Sequence, residues 1–234
     1  MNEGSPRVRV IRSGQFRRMR WKNGGGETVE IAIWPEGATL DNFDWRISMA
    51  RVESDGPFSK FSGCDRSLVI LRGKGMALTI GSQAAIEATI LSPPLCFDAA
   101  AATSARLLDG PIVDLNVMTR RGRHSQRLRR VALPPDAEVR TSALHTHLLA
   151  WDGDIAIQTS DAQFALKSGD ALRIDDARMT LRLSLGQGAV GYLVEVFKPR
   201  AENLNSSAAS GDWMVEPDGI EPTTSSMPLK RSPN

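Results

Sequence analysis

Hydrophobic and polar residues alternate in short runs along most of the chain, and runs with helical periodicity are scarce. In residues 28–33, three aliphatic side chains fall on one face, while Glu30 falls on the other. The same period of two recurs at 43–49 and 113–118, as it does when successive side chains of a strand point to opposite faces. Glycine, proline, aspartate and serine separate the runs. This pattern predicts an all-β fold of the sandwich or barrel type.

One series of strand-like runs occurs twice. The first series begins at residues 68–71, leads into Gly73 and continues with two further strand-like runs. The second begins at 148–151 and leads into Gly153, which follows Gly73 by 80 residues. This repeat predicts a duplicated fold of two small jelly-roll-like β-barrels. The alternative is a chance recurrence of turn residues in an all-β chain.

Changes in composition predict four segments. Residues 1–122 form the first half, and the arginine- and proline-rich residues 123–137 form a linker. Residues 138–200 form the second half. Residues 201–234 contain mostly small and polar side chains without periodicity, so we predict a disordered tail there.

The overall composition is that of an ordinary globular protein. The 234 residues carry a formal net charge of +2, and 41% of them are hydrophobic. Such a small charge gives no reason to expect nucleic-acid or membrane partners. Only two cysteines occur, and the N-terminal arginines are not followed by an apolar segment. These features predict a cytoplasmic protein.

Three blocks of sequence are more specific than composition. They are the glycine-rich block at 21–31, the block at 43–61 with its continuation to Arg66, and the block at 109–122. Their order and joint presence resemble the HutD/Ves family of cupin-fold proteins, over about residues 8–200. The resemblance implies a bicupin, often a homodimer, encoded in many bacteria with genes of histidine utilisation.

The resemblance also implies a role in tuning or limiting histidine catabolism. It implies a small acidic pathway metabolite as ligand, and it brings no established reaction and no cofactor. Urocanate and formylated or formiminated glutamate are acids of this kind. The leading hypothesis is therefore a ligand-binding protein, and the sequence leaves open whether it also catalyses a reaction. The alternative is a metal-independent lyase, hydrolase or isomerase in which Glu30 is the acid/base.

Polar side chains on the predicted strands indicate where such an acid would bind. Glu30, Arg46, Ser48 and Asn116 all lie on faces opposite large apolar residues. If these faces converge, Arg46 can hold a carboxylate through two parallel hydrogen bonds, and Lys22 can add a charge at the rim. The alternative is a solvent-facing sheet with an ordinary Glu–Arg pair.

Further candidates lie in turns. Lys22 and Asn23 precede a glycine triplet, which predicts either a turn that brings backbone amides to a ligand or a plain tight turn. Asp55 and Arg66 are secondary site candidates. Asp65 and Arg66 are predicted to form an ion pair that braces the loop between them and the preceding strand.

The histidines do not predict a metal site. His145 and His147 would point to one side of a strand, but His124 is the only other histidine and no glutamate follows at ligand spacing. We therefore predict that the metal site found in many cupins is absent and that both histidines are solvent-facing or partly buried. Cys96, between two apolar residues, is predicted in the core.

Overall fold

The computed structural model describes residues 7–21, 24–131 and 136–199. Within these ranges the regular structure is almost entirely β, with one short 3-10 helix at Ser13–Gln15, so the predicted all-β class is confirmed. No helix in these ranges is long and apolar enough to span a membrane. The predicted tail and two site candidates, Lys22 and Asn23, lie outside the described residues.

The strands of the described residues, in chain order, are β1 (Arg7–Ile11), β2 (Arg17–Arg20), β3 (Gly26–Trp34), β4 (Trp45–Val52), β5 (Gly56–Pro57), β6 (Cys64–Arg72), β7 (Met76–Ile80), β8 (Ile86–Ala88), β9 (Leu95–Asp98), β10 (Thr103–Leu107), β11 (Ile112–Arg120), β12 (Ser125–Val131), β13 (Asp136–Thr141), β14 (His145–Trp151), β15 (Ile155–Gln158), β16 (Gln163–Leu166), β17 (Ala171–Asp175), β18 (Met179–Leu185) and β19 (Val190–Phe197).

These strands form four open sheets. A six-stranded sheet (β2-β3-β4-β11-β6-β9) packs against a four-stranded sheet (β5-β10-β7-β8) through shared apolar side chains. A five-stranded sheet (β1-β17-β14-β19-β12) packs in the same way against a second four-stranded sheet (β13-β18-β15-β16). The predicted closed barrels are wrong, because each sheet keeps two edge strands within the described residues.

The two pairs of sheets share one strand order. The orders β4-β11-β6-β9 and β5-β10-β7-β8 recur as β12-β19-β14-β17 and β13-β18-β15-β16. Two boundaries differ from the predicted segments. Strand β1, from the predicted first half, pairs with β17 of the second sheet pair. Strand β12, in the predicted linker, pairs with β19, and Arg127 and Arg129 of this strand share a buried partner on β19, Glu195.

The two large sheets pack face to face. Trp45, Ile47 and Leu115 of the six-stranded sheet meet Leu149 and Val194 of the five-stranded sheet in one buried apolar cluster. The apolar faces predicted for β4 and β11 therefore lie between the large sheets. The opposite faces of the same strands point toward the first four-stranded sheet.

Some contacts across the large sheets join residues that are 80 positions apart. Trp151 Nε1 donates a hydrogen bond to the Leu71 carbonyl oxygen at 3.1 Å. Arg72 pairs with Asp152 at 3.3 Å. This separation is the one that divides the two predicted repeats. Cys96, predicted in the core, is exposed because β9 is an edge strand.

Candidate functional site

The predicted polar-face residues lie together on the inner face of the six-stranded sheet. Glu30 on β3 is opposite Ser48 on β4, and Ser48 is opposite Asn116 on β11. Arg46 lies two residues before Ser48 on the same face. Glu30, Arg46 and Ser48 are buried, and Asn116 is half-buried. The alternative of a solvent-facing sheet is therefore wrong for this face.

Glu30 and Arg46 form a buried ion pair. Arg46 Nε donates to Glu30 Oε2 at 2.7 Å, and the two side chains are 6% and 8% exposed. The bond uses Nε and leaves the two terminal nitrogens of the guanidinium outside it. Two buried charges of opposite sign offset part of the cost of removing each from water. The Glu30–Arg46 pair is therefore part of the buried interior of the protein.

Arg66 also lies in this interior, but no carboxylate among the described residues is within ion-pair distance of it. Its Nη2 donates to the Ser59 carbonyl oxygen at 3.1 Å and contacts Met118 Sδ at 3.5 Å. Its Nε is buried and has no hydrogen-bond partner. Burial lowers the pKa of this guanidinium to about 10, and the nearby Asp114 partly opposes that shift. Arg66 is thus a buried cation without a counter-charge in contact.

The predicted Asp65–Arg66 ion pair is wrong. Asp65 pairs instead with Arg121, at 2.6 Å, on the outer side of the sheet. The reason is that adjacent residues of a strand point to opposite faces, so Asp65 and Arg66 cannot turn the same way on β6. Rings of Phe58, Phe61 and Phe97 surround the Arg66 guanidinium at 5.3 to 5.7 Å instead.

Asp114 belongs to the same interior, although the sequence reasoning did not select it. Its side chain is fully buried, Oδ1 accepts a hydrogen bond from Asn116 Nδ2 at 2.7 Å, and Oδ2 has no partner. Burial raises the pKa of Asp114 to about 7, against the lowering effect of Arg66. A usable signal was present, because Asp114 and Asn116 share the polar face of one alternating run.

Asp55 does not join this group. It is exposed, and its Oδ1 accepts a hydrogen bond from the Leu107 backbone N–H at 2.7 Å, which ties the chain before β5 to β10. We name the interior set the polar inner cluster; it consists of Glu30, Arg46, Ser48, Arg66, Asp114 and Asn116. With two buried guanidiniums and one ion-paired carboxylate, it is suited to a small anion.

A surface cleft reaches this cluster at one point. The cleft has a volume of about 380 Å³, and its lining includes Glu30 but not Arg46. Arg9, Arg17 and Arg173 supply positive charge around it, part of which Glu36 offsets through its ion pairs with Arg9 and Arg173. A small anion approaching the six-stranded sheet from this side meets cations before it meets the Glu30–Arg46 pair.

The two strand histidines lie between the large sheets and are buried, so the prediction that they are solvent-facing or partly buried is wrong. His145 Nδ1 is 2.6 Å from Asp175 Oδ1, while neither ring nitrogen of His147 has a partner. The ring of His147 contacts Trp45 edge-on at 5.2 Å. Among the described residues, no three His, Cys, Asp or Glu side chains are grouped as metal ligands.

Comparison with known proteins identifies the family. The HutD family model matches residues 13–191. The chain belongs to the HutD family. A relative from Pseudomonas putida, an uncharacterised 21.2 kDa protein in the hutC 3′ region, is 39% identical to this chain over 126 residues, or 52% of this chain and 63% of that protein. Protein Ves of Citrobacter koseri is 38% identical over 110 residues, or 47% of this chain and 56% of that protein. The matched part spans less than two thirds of either relative.

Solved structures agree with this assignment. A conserved protein of unknown function from Pseudomonas aeruginosa superposes on this chain with a TM-score of 0.77 and 30% identity, covering 82% of this chain and all (100%) of the other. The structure of HutD from Pseudomonas fluorescens SBW25, described as a formate condition, superposes with a TM-score of 0.70 and 28% identity. It covers 82% of this chain and 100% of the other. Oxalate decarboxylase from Bacillus subtilis superposes with a TM-score of 0.53 and 10% identity, covering 81% of this chain and 76% of the other. At this low identity the likeness shows the cupin-like fold alone.

Proposed function

We propose that this HutD-family protein binds a small carboxylate metabolite of histidine catabolism in its polar inner cluster, and that binding tunes or limits the pathway. One observation carries the proposal: Arg66 is buried, its Nε has no partner, and no described carboxylate pairs with it. An unpaired buried charge costs several kcal/mol, on the order of 3–5 in proteins. A bound carboxylate would offset that cost.

The chemistry of the cluster supports an organic acid. Guanidinium groups bind carboxylates through charge-assisted and often paired hydrogen bonds. Arg46 and Arg66 face the same interior on β4 and β6, separated by β11, with Met118 between them in register. Strands lie about 4.8 Å apart, so the two side chains start roughly 10 Å apart. Urocanate, formylglutamate and formiminoglutamate are short enough to fit this spacing.

The relatives support the pathway. The Pseudomonas putida relative is encoded in the hutC 3′ region, and the Pseudomonas fluorescens structure is named HutD and described as a formate condition. Formate is the smallest carboxylate. A cytoplasmic location and assembly as a homodimer belong to the same proposal.

We also propose that the fold is a duplicated cupin. The recurring strand order of the two sheet pairs supports it. So do the two contacts between residues 80 positions apart, since equivalent positions of a duplicated fold meet at its pseudo-twofold axis.

Isothermal titration calorimetry with urocanate, formiminoglutamate and formylglutamate tests the function. We expect saturable binding of at least one acid, weakened at least tenfold in Arg66→Met and in Arg46→Ala. Arg140→Ala, which changes an arginine that is 83% exposed, is the matched control and should bind as the native chain does. Heats equal to buffer for all three acids would refute the proposal. Product formation from the same acids, abolished in Glu30→Gln, would favour the enzyme alternative.

A further inference from the structure

Two buried atoms of the polar inner cluster lack hydrogen-bond partners, and both face the same interior. They are Nε of Arg66 on β6 and Oδ2 of Asp114 on β11. The two residues are close enough for each to shift the pKa of the other, yet they form no ion pair. A buried polar atom without a partner costs about 1–3 kcal/mol, so two of them facing one interior indicate a missing polar group.

We propose that Asp114 is a ligand-binding residue that acts as a protonated acid. In this arrangement one oxygen of the bound carboxylate accepts from Arg66 Nε and the other accepts from the Asp114 Oδ2–H group. Above neutral pH, where free Asp114 is ionised, each carboxylate that binds is then accompanied by about one proton taken from water. This inference rests on the proposed function and specifies how the same site recognises its ligand.

The proton on Asp114 is required to balance charge in the buried site. A ligand carboxylate opposite an ionised Asp114 would place two negative charges in one buried site, and such pairs share a proton. The ligand would also neutralise Arg66, which is the charge that lowers the pKa of Asp114. Binding would therefore raise that pKa further above its free value of about 7.

Asn116 and Ala50 orient the carboxyl for this role. Oδ1 accepts from Asn116 Nδ2 at 2.7 Å, and Ala50, which is opposite Asp114 on β4, lowers the pKa of the carboxyl through its backbone. With Oδ1 occupied by a donor, the proton belongs on Oδ2, the unpartnered atom. Asp114 thus presents one fixed O–H group to the interior.

The other titratable groups that face this interior do not compete for the proton. They are Glu30 on β3, Arg46 on β4, and Arg66 and Cys64 on β6. Glu30 and Arg46 are bound to each other, and burial raises the pKa of the Cys64 thiol. The strands of the facing sheet contribute apolar side chains, such as Met76 and Leu78 of β7.

Calorimetry tests the inference, with formylglutamate and formate as probes. Titrations at about pH 8 in phosphate and in Tris, whose ionisation heats differ, should report an uptake of about 0.9 proton per bound acid. The apparent Kd should rise about tenfold from pH 6 to pH 8, because ionised Asp114 must first be protonated. Asp114→Asn keeps an acceptor at Oδ1 and a donor at Oδ2, so its Kd should be independent of pH and its proton uptake zero.

Other outcomes separate this inference from the proposed function. Binding with no proton uptake, or unchanged affinity and pH dependence in Asp114→Leu, would overturn the role of Asp114 and leave the carboxylate site intact. An absence of binding by both probes at every pH would overturn the inference, and the proposed function would be overturned with it if urocanate and formiminoglutamate also failed to bind. Asp65→Asn, at an aspartate on the outer face of β6, is the control and should keep the native proton uptake. Circular dichroism spectra of each variant check that it is folded.

Discussion

Asp114→Asn should reveal a loss of stability in acid that the native chain conceals, because two buried groups shift stability in opposite directions. The first is His147, which is fully buried against Trp45. Burial, reinforced by the charge of Arg173, lowers the pKa of His147 to about 3. The folded state thus resists protonation, and stability falls as the pH drops below the unfolded pKa of about 6.5 toward 3. At pH 5 the loss amounts to about 2 kcal/mol.

The second group is Asp114, whose folded pKa of about 7 lies above its unfolded value of 3.8. The folded state prefers the protonated carboxyl, so Asp114 reduces stability as the pH rises from about 4 to 7. Lowering the pH from about 7.5 to 5 therefore restores about 2.5 kcal/mol. The two contributions nearly cancel in this range. Asp175, with a pKa lowered to about 2, contributes a loss only below its unfolded value of 3.8.

Urea unfolding followed by tryptophan fluorescence at about pH 5, 6 and 7.5 measures both effects. The native chain should change by less than about 1 kcal/mol across this range. Asp114→Asn should lose about 2 kcal/mol on going to pH 5, and His147→Phe should gain about 2.5. The reasoning is refuted if Asp114→Asn follows the native curve, since the folded state then has no preference for the protonated Asp114 carboxyl, and the His147 part is refuted if Asp114→Asn loses no stability on going to pH 5.

Two further predictions concern the fold. Gly75→Ala should destabilise the chain by about 2 kcal/mol or more, because Gly75 has a φ of +114° and a Cβ there would meet the Ala88 carbonyl oxygen; an unchanged urea midpoint would contradict this. Arg121→Ala should cost less than about 1 kcal/mol, since the Arg121 side chain is 51% exposed and its ion pairs with Asp65 and Asp98 are screened by water. A loss of 3 kcal/mol in the same assay, on the order of a buried ion pair, would show that this pair is more than a surface contact.

Strand alternation explains which parts of the site could be predicted. A period of two assigns Arg46, Ser48 and Asn116 to one face wherever the strands pair. The sequence alone therefore predicted that these three side chains would lie on the same face of the sheet. Whether the sheets are open or close into barrels could not be predicted in the same way, because closure depends on strand tilt and on the register between distant segments. The Arg127–Glu195 pair was missed for the same reason. These residues are 68 positions apart, and only the pairing of β12 with β19 shows that the arginines of the predicted linker have a buried partner.

Strand β4 connects the site with the core through neighbouring residues of opposite orientation. Arg46 points into the polar inner cluster, while Trp45, with no exposed surface, packs between the large sheets against His145 and His147. Protonation sites therefore lie on both sides of β4: Asp114, on the neighbouring strand β11, belongs to the polar inner cluster, and His147, on β14, lies between the large sheets. A carboxylate that draws a proton onto Asp114 relieves the cost of that buried charge and leaves His147 unchanged. At one fixed ligand concentration well above Kd, the ligand should therefore raise stability by about 1.4 kcal/mol less at pH 8 than at pH 6, because the apparent Kd is about tenfold higher where unliganded Asp114 is ionised.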